Sequence, residues 1–302
     1  MMETALPRLD AIAYKTLNDE IPAQYPHFFQ VKTMTGAISQ SAQLSGLGLP
    51  RETPELEGTP YDKPIEGFTK TFKARTFRLG SAISYEMAQD GKWLDFGGRM
   101  AQALARSFKF AKEYDAAAVV NLGFTQNGLD GVPLFSVAHP KVKGGVLQSN
   151  RSSAAGVAAV WDLDIPNLRL ALTACRRMVD INGHPVHFRP NCLAIPPELD
   201  WTATEIFKSD RRADSANFTI NAFKEADSGT VRDVKVWDYL TSPANWFLFA
   251  SPKRTGLKFF QREAFNIRKH HDDQNDAFMQ RALERWDCGY DSDEGVFGAL
   301  GA

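Results

Sequence analysis

Histidines, cysteines and clustered carboxylates are the residues of this chain that could do chemistry, and their spacing supports little of it. His184 and His187 flank Pro185-Val186 in an extended piece, and His270-His271-Asp272-Asp273 sets four ligand-type side chains in a row. A metal centre needs three or four converging donors held by a further layer of hydrogen bonds. Neither group offers that, and both fall at expected turns, where solvated His and Asp are common. Glu52, Glu55 and Glu57 could suggest paired carboxylates for acid–base work, but their Pro-rich setting gives no burial to raise a pKa. His139 sits beside Leu134, Phe135 and Val137 with no nucleophile in view, so a hydrogen-bonded structural imidazole is expected. Cys175, Cys192 and Cys288 form no Cys-x-x-Cys pair and read as small buried hydrophobes.

Glycine-rich phosphate loops, His-Glu-x-x-His, a nucleophile elbow and the kinase motifs are all missing, and Gly46-Leu47-Gly48 lacks the third glycine of a dinucleotide fold. The expectation is therefore no enzyme: no catalytic residue, no cofactor ligand and no metal ligand. The competing expectation of another class is a soluble two-lobed enzyme using His139 or the His270–Asp273 cluster, recognisable by a pocket with converging titratable groups.

The dominant element is one long amphipathic helix, expected over about 92–122. Trp93, Phe96, Met100, Leu104, Phe108, Ala111, Asp115, Ala118 and Leu122 recur in steps of three and four, with only Asp115 out of character. The opposite face carries Lys92, Asp95, Arg99, Gln102, Arg106, Lys109 and Glu113. At 1.5 Å per residue the rod spans roughly 45 Å, a spine on which a sheet or second lobe can lie.

Before it, residues 1–28 read as an arm with a short helix around Leu9–Leu17, and few core-forming residues follow. Residues 29–83 read as a long hairpin whose broad Gly, Pro and Glu tip lies outside any core. The apolar parity shifts between Phe72 and Phe77, which suggests a bulge. Such a hairpin is not stable alone in water and should lie on something.

After it come a turn-rich passage at 121–140, a Gly/Ser/Ala-rich crossing at 141–160 and a helix from Leu163 to Val179. Strands are expected at Val186–Ile195 and Val231–Leu240, with a helix at Glu198–Ser209 between them. Trp246–Ala250 and Leu257–Phe260 should form a hairpin turned at Pro252–Gly256; Ala264–His270 and Phe278–Asp287 should pair across Asp272–Asp276. The class is mixed α+β, with two lobes and a projecting arm and hairpin.

With 302 residues, 43% hydrophobic and a net charge of -1, the chain has no overall basic excess for phosphate neutralisation. The local groups Lys70, Lys73, Arg75 and Arg78, and Lys109 with Lys112, read as solvated faces. Three scattered cysteines, no signal-peptide pattern at Met1–Glu20 and no long apolar run fit a protein made in a reducing cytosol, with no membrane role.

The segment Asp130-Gly-Val-Pro-Leu-Phe-Ser-Val-Ala-His139-Pro140 resembles the Asp-Gly-x-x-Leu-Phe-Ser-x-x-His-Pro pattern of Mu-like major head subunits, the major capsid proteins of tailed bacteriophages. The order of arm, hairpin, spine helix and this motif extends the likeness, as do Trp161 with its helix, Trp246-Phe-Leu-Phe-Ala250 and Gly256-Leu-Lys-Phe-Phe260. The resemblance implies the tailed-phage capsid (Johnson) fold. It places the N-terminal arm at 1–28, the extended loop at 29–80, the peripheral domain at 81–156 and 263–302, and the axial domain at 157–262. It implies self-assembly as hexamers and pentamers into an icosahedral virion shell around double-stranded DNA, built in the host cytoplasm. A portal and a decoration protein are implied partners; a separate scaffolding protein is expected because the extended loop begins by about residue 29, leaving no room for a long scaffolding segment. Non-specific DNA contact would fall to Arg99, Arg106, Lys109 and Lys112. The nearer alternative is an encapsulin-like shell that stores cargo.

Overall fold

The computed structural model describes residues 11–17, 22–44, 46–64, 66–84, 86, 93–140, 147–154, 156–180, 182–209, 231–272 and 277–302. Two four-stranded sheets and one long helix carry the architecture. The first sheet has the order β1 (Gln30–Thr33), β10 (Leu257–Asp272), β11 (Ala277–Tyr290), β4 (Arg75–Ser84). Within it β1 runs parallel to β10, and the other pairs are antiparallel. The second has the order β12 (Val296–Ala299), β9 (Trp246–Phe249), β7 (Cys192–Ile195), β8 (Asp233–Val236). A separate two-stranded ladder pairs β2 (Ile38–Leu44) with β3 (Glu66–Lys73), and a small one pairs β5 (Ser153–Ala154) with β6 (Val157–Ala158).

Helix α1 spans Trp93–Asn121, 29 residues, so it is about 43 Å long. It lies against β11 and β4. Its buried line is Gly97, Ala101, Leu104, Ala105, Phe108, Ala116, Ala117 and Val120, which agrees with the expected stripe at Leu104 and Phe108 and is rotated from it elsewhere. Phe96 and Leu122, expected inside, are 37% and 48% exposed. Small residues dominate the true contact because a helix approaching a sheet closely has little room for bulk.

The second sheet is covered on both faces. Cys192, Ala194, Phe247, Phe249 and Val296 join the cluster under α1. Leu193, Ile195, Leu248, Trp246 and Phe297 face helices α2 (Ile165–Arg176) and α3 (Asp200–Lys208). Burial on both sides explains why Cys-Leu-Ala-Ile and Trp-Phe-Leu-Phe are unbroken apolar runs rather than alternating ones. At the start of α2 the Asp164 carboxylate accepts from Asn167 N at 2.6 Å, a side-chain cap for an orphan amide.

Several expectations are corrected. The 29–83 hairpin is only β2 with β3; its flanks β1 and β4 belong to the first sheet. The parity change between Phe72 and Phe77 is no bulge but a change of sheet at Ala74, where β3 ends and β4 begins. Trp246–Ala250 and Leu257–Phe260 form no hairpin, because β9 and β10 lie in different sheets. Leu257–Phe260 instead runs on through β10 to Asp272, past irregularities at Gln261/Glu263 and Glu263/Asn266. The boundary expected between 262 and 263 thus falls inside a strand, and the last strand, β12, sits in the second sheet rather than the first. The expected strands at Val186–Ile195 and Val231–Leu240 shrink to β7 and β8. The arm's inner end is not lean either: Tyr25, Phe28 and Phe29 are buried in the main core of their own subunit. Residues 1–10, 141–146, the turn residues 273–276 and the expected helix start at Lys92 lie outside the described residues.

Candidate assembly surface

The projecting element is the β2–β3 ladder with its tip, 46–64. Every described residue of the tip is exposed, including Leu47 (63%), Leu49 (74%), Leu56 (107%) and Tyr61 (93%). Four large apolar side chains on a loop exposed along its whole length form an open contact surface. Glu52, Glu55 and Glu57 lie on it and are solvated, as their Pro-rich setting implies. The tip itself is held by few bonds: Gly48 N donates to Asp62 Oδ2 at 2.7 Å, and Asn182 Nδ2 donates to Gly46 O at 2.6 Å. The base is firmer. Ser41 Oγ donates to Asp291 Oδ2 at 2.6 Å, Lys73 N donates to Asp287 Oδ2 at 2.9 Å, and Phe72 is buried against Phe260 with ring centroids 4.7 Å apart. A rigid base with an open tip presents the loop outward.

The arm is seated on the spine by one carboxylate. Glu113, expected on the solvent face, is 5% exposed and accepts from Gln24 N (2.6 Å), Tyr25 N (3.2 Å) and Trp237 Nε1 (3.3 Å). Burial pushes its pKa up, and the three donors offset part of that push. Asp115, the residue out of character on the helix, is equally purposeful. It accepts from Trp286 Nε1 at 2.9 Å and pairs with Arg75, which also reaches Asp287 at 3.2 Å. Lys112 Nζ lies 2.9 Å from Glu284 Oε1, a carboxylate whose side chain is 1% exposed. Lys112 is therefore structural rather than part of a solvated face, and Arg75, still half exposed, is tied to two carboxylates.

His139 proves structural. Its Nδ1 lies 2.6 Å from Asp130 Oδ2, and its Nε2 lies 3.2 Å from Leu134 O and 3.1 Å from Asn150 Oδ1. All three neighbours are acceptors: Asn150 Nδ2 is used on Leu134 O, and Asn150 Oδ1 also takes Ser136 N. Both ring nitrogens must then donate, which is the imidazolium form. Burial pulls the His139 pKa down, but the Asp130 hydrogen bond and the Asp293 and Asp130 charges outweigh it, so the net shift is upward. The 130–140 segment acts as a wedge: Leu134 and Phe135 are fully buried, Phe135 lies 4.9 Å from Phe124 and 5.2 Å from Phe247, and His139 locks the loop behind them. The hollow beside His139 is only about 20 Å³, too small for a substrate.

The other chemical candidates stay apart. His187 is exposed at a left-handed backbone position (φ 53°), and His184 N is tied to Asp180. His270 and His271 are exposed near the end of β10, His271 against the Phe278 ring at 4.8 Å, while Asp273 lies outside the described residues. Among the described residues no three His, Cys, Asp or Glu side chains converge as a metal site would need. Burial raises the Cys175 thiol well above its ordinary value and Cys192 to about 12, so neither is a ready nucleophile. No described helix is long and apolar enough to cross a membrane.

A family model described as phage capsid protein matches residues 67–296. No curated protein matches the sequence. Among solved structures the chain is similar to the capsid of an empty GTA particle, with a TM-score of 0.55 and 13% identity over 93% of this chain and 90% of that one. It is similar to a virus-like particle from Pyrococcus furiosus (TM-score 0.55, 11% identity, 97% and 98% covered). It is also similar to the capsid of bacteriophage JBD30 decorated with minor capsid protein trimers (TM-score 0.53, 15% identity, 74% and 94% covered). The overall fold is thus the tailed-phage capsid (Johnson) fold, and the chain belongs to the phage capsid protein family as a structural shell protein rather than an enzyme.

Proposed function

We propose that copies of this chain assemble as hexamers and pentamers into an icosahedral tailed-phage head enclosing double-stranded DNA. The observation that carries this reading is the tip 46–64, wholly exposed yet bearing four large apolar side chains. A shell is held by many modest, repeated contacts, and a stiff loop with an open apolar tip supplies one per copy. In this reading α1 and the first sheet form the peripheral lobe, and the second sheet with α2 and α3 forms the axial lobe. The arm 1–28 and the loop are the reaching parts. Assembly takes place in the host cytoplasm with a scaffolding protein and a portal. A decoration protein is a further partner, supported by the likeness to a capsid carrying minor protein trimers. Exposed Arg99 and Arg106 on α1 are candidates for non-specific DNA contact together with Lys109; Lys112 is excluded by its bond to Glu284.

A cargo-storing shell is the second reading, favoured by the likeness to a virus-like particle. Light scattering and electron microscopy of the expressed protein, alone and with its scaffold, test the proposal. Tubes, sheets or closed shells support it, and a persistent monomer overturns it. Double-stranded DNA protected from nuclease inside particles from infected cells separates a phage head from a cargo shell.

A further inference from the structure

Three strands of the second sheet meet at one end of it. β7 and β12 both run antiparallel to β9, so the first residues of each, Cys192 and Val296, lie beside Phe249, the last of β9. A cleft of about 390 Å³ opens just beyond them, lined by His187, Phe188, Arg189, Asn191, Arg254 and Glu294 among others. Its walls are held by main-chain hydrogen bonds. Val186 N donates to Met178 O at 3.0 Å, Asn191 N to Phe249 O at 2.8 Å, Ala250 N to Gly295 O at 2.8 Å and Arg254 N to Ser251 O at 2.7 Å. Gly295 (φ 74°) lets the loops before β12 and after β9 close on each other, since an added Cβ would stand 2.6 Å from Arg254 O. The cleft is therefore formed by the backbone before anything enters it, as small-molecule sites usually are.

Its rim carries donors with nothing to bind. Arg189 and Arg254 are exposed, and neither makes an ion pair or a side-chain hydrogen bond. Glu294 is the one carboxylate among the described lining residues, and it pairs with neither guanidinium. The Asn191 side-chain amide is likewise without a hydrogen bond. Two guanidiniums on one concave surface focus positive potential there, and their forked donors match the oxygens of a phosphate. His187 brings a further nitrogen group at a conformational cost. Its φ of 53° is left-handed, where a Cβ is crowded, and it is fixed between the bonded Val186 and Phe188, which is buried in the second core. Non-glycine residues held in such conformations by anchored neighbours cluster at ligand sites. The remaining wall, Val186, Phe188 and Ala250, is apolar. A bare phosphate ion would leave most of this volume empty, whereas a phosphate carrying a sugar and a base would use both the rim and the wall.

We propose that this cleft binds a nucleotide, with Arg189 and Arg254 holding the phosphate, Asn191 and His187 adding hydrogen bonds, and the apolar wall taking the sugar or base. A free mononucleotide and one unit of a single-stranded nucleic acid present the same chemistry to it. The site lies on the second lobe, separate from the α1 arginines considered above for duplex DNA, and the inference stands without the shell reading.

Isothermal titration calorimetry of the full chain tests it, with AMP, inorganic phosphate and a single-stranded oligothymidylate as separate probes. AMP or the oligothymidylate should bind, and inorganic phosphate should bind at least about tenfold more weakly than the better of them. Binding of AMP assigns the cleft to a free nucleotide, and binding of the oligothymidylate alone assigns it to a nucleic-acid strand. Arg189→Gln with Arg254→Gln should weaken the binding at least about tenfold, with circular dichroism and the unfolding midpoint near wild type because both side chains are exposed. The same pair of changes at Arg78 and Arg281, exposed on the first sheet, should leave it within about twofold, which separates a built site from general positive charge. His187→Gly, which removes the imidazole and suits the left-handed backbone, should weaken binding about threefold without lowering the unfolding midpoint. Equal binding by that variant overturns the role given to His187. No binding of AMP or the oligothymidylate below about 1 mM, wild-type affinity in the Arg189/Arg254 variant, or an equal loss in the Arg78/Arg281 variant overturns the proposal.

Discussion

Replacing Glu113 should unseat the arm from the spine. Its carboxylate lies almost wholly inside the subunit and takes hydrogen bonds from Gln24 N, Tyr25 N and Trp237 Nε1, the last from a fully buried indole. Glu113→Ala strands these donors: the groove of about 520 Å³ that Glu113 lines lets water reach Gln24 N, but Tyr25 and the Trp237 indole are buried. An unsatisfied buried donor costs roughly 1–3 kcal/mol, so with Gln24 N only partly buried the expected total is about 3–5 kcal/mol. Glu113→Gln keeps one acceptor oxygen but turns an NH2 toward donors, and should cost about 1–2 kcal/mol on the same scale. Urea unfolding of the unassembled subunit measures both losses, and limited proteolysis should cut the alanine variant faster between residues 11 and 29. A loss below about 1 kcal/mol for Glu113→Ala, with the arm still protected, would refute the reasoning.

Other expectations follow from the wedge and the tip. The folded-state pKa of His139 is raised, so its contribution is complete below the ordinary value near 6.5 and is lost as pH rises through the folded-state value. The stability gap between wild type and His139→Gln should therefore narrow on going from pH 6 toward alkaline pH, and a gap independent of pH would rule out the imidazolium. Phe135→Ala empties a fully buried site between Phe124 and Phe247 and should cost about 3–5 kcal/mol in chemical unfolding. Replacing 46–64 by a short Gly/Ser turn should change subunit stability by less than about 1 kcal/mol, because the segment is exposed throughout, yet abolish assembly in sedimentation.

Much of the fold is legible along the chain where burial is dictated locally. The runs at Trp246–Phe249 and Cys192–Ile195 announce strands covered on both faces, and the 29-residue helix is plain in its length, though its buried line is rotated from the apolar spacing outside Leu104 and Phe108. Legibility fails where partners are distant. β1 gains its place only by lying parallel to β10, some two hundred residues further on, and nothing in Gln-Val-Lys-Thr itself says so. Glu113 and Asp115 look like solvent-facing and misplaced residues because the donors that justify them, Tyr25, Trp237 and Trp286, lie 88 to 171 residues away. β10 reads as two strands because its register slips around Glu263 reset the alternation. The 130–140 motif is readable as a pattern, but its role as a wedge depends on Phe124, Phe247 and Asn150 converging on it. The tip is legible in a different sense: its Pro, Gly and Glu content excludes it from a core, and the structure leaves it outside one.

The account stands most directly on where residues 46–64 lie once copies have come together. A cryo-electron microscopy reconstruction of assembled particles, resolved well enough to trace the chain, gives that answer. The account predicts a closed shell in which each tip is ordered against a neighbouring copy, with Leu49, Leu56 and Tyr61 covered. A shell whose tips project freely into solvent, or fold back onto their own first sheet, would contradict it.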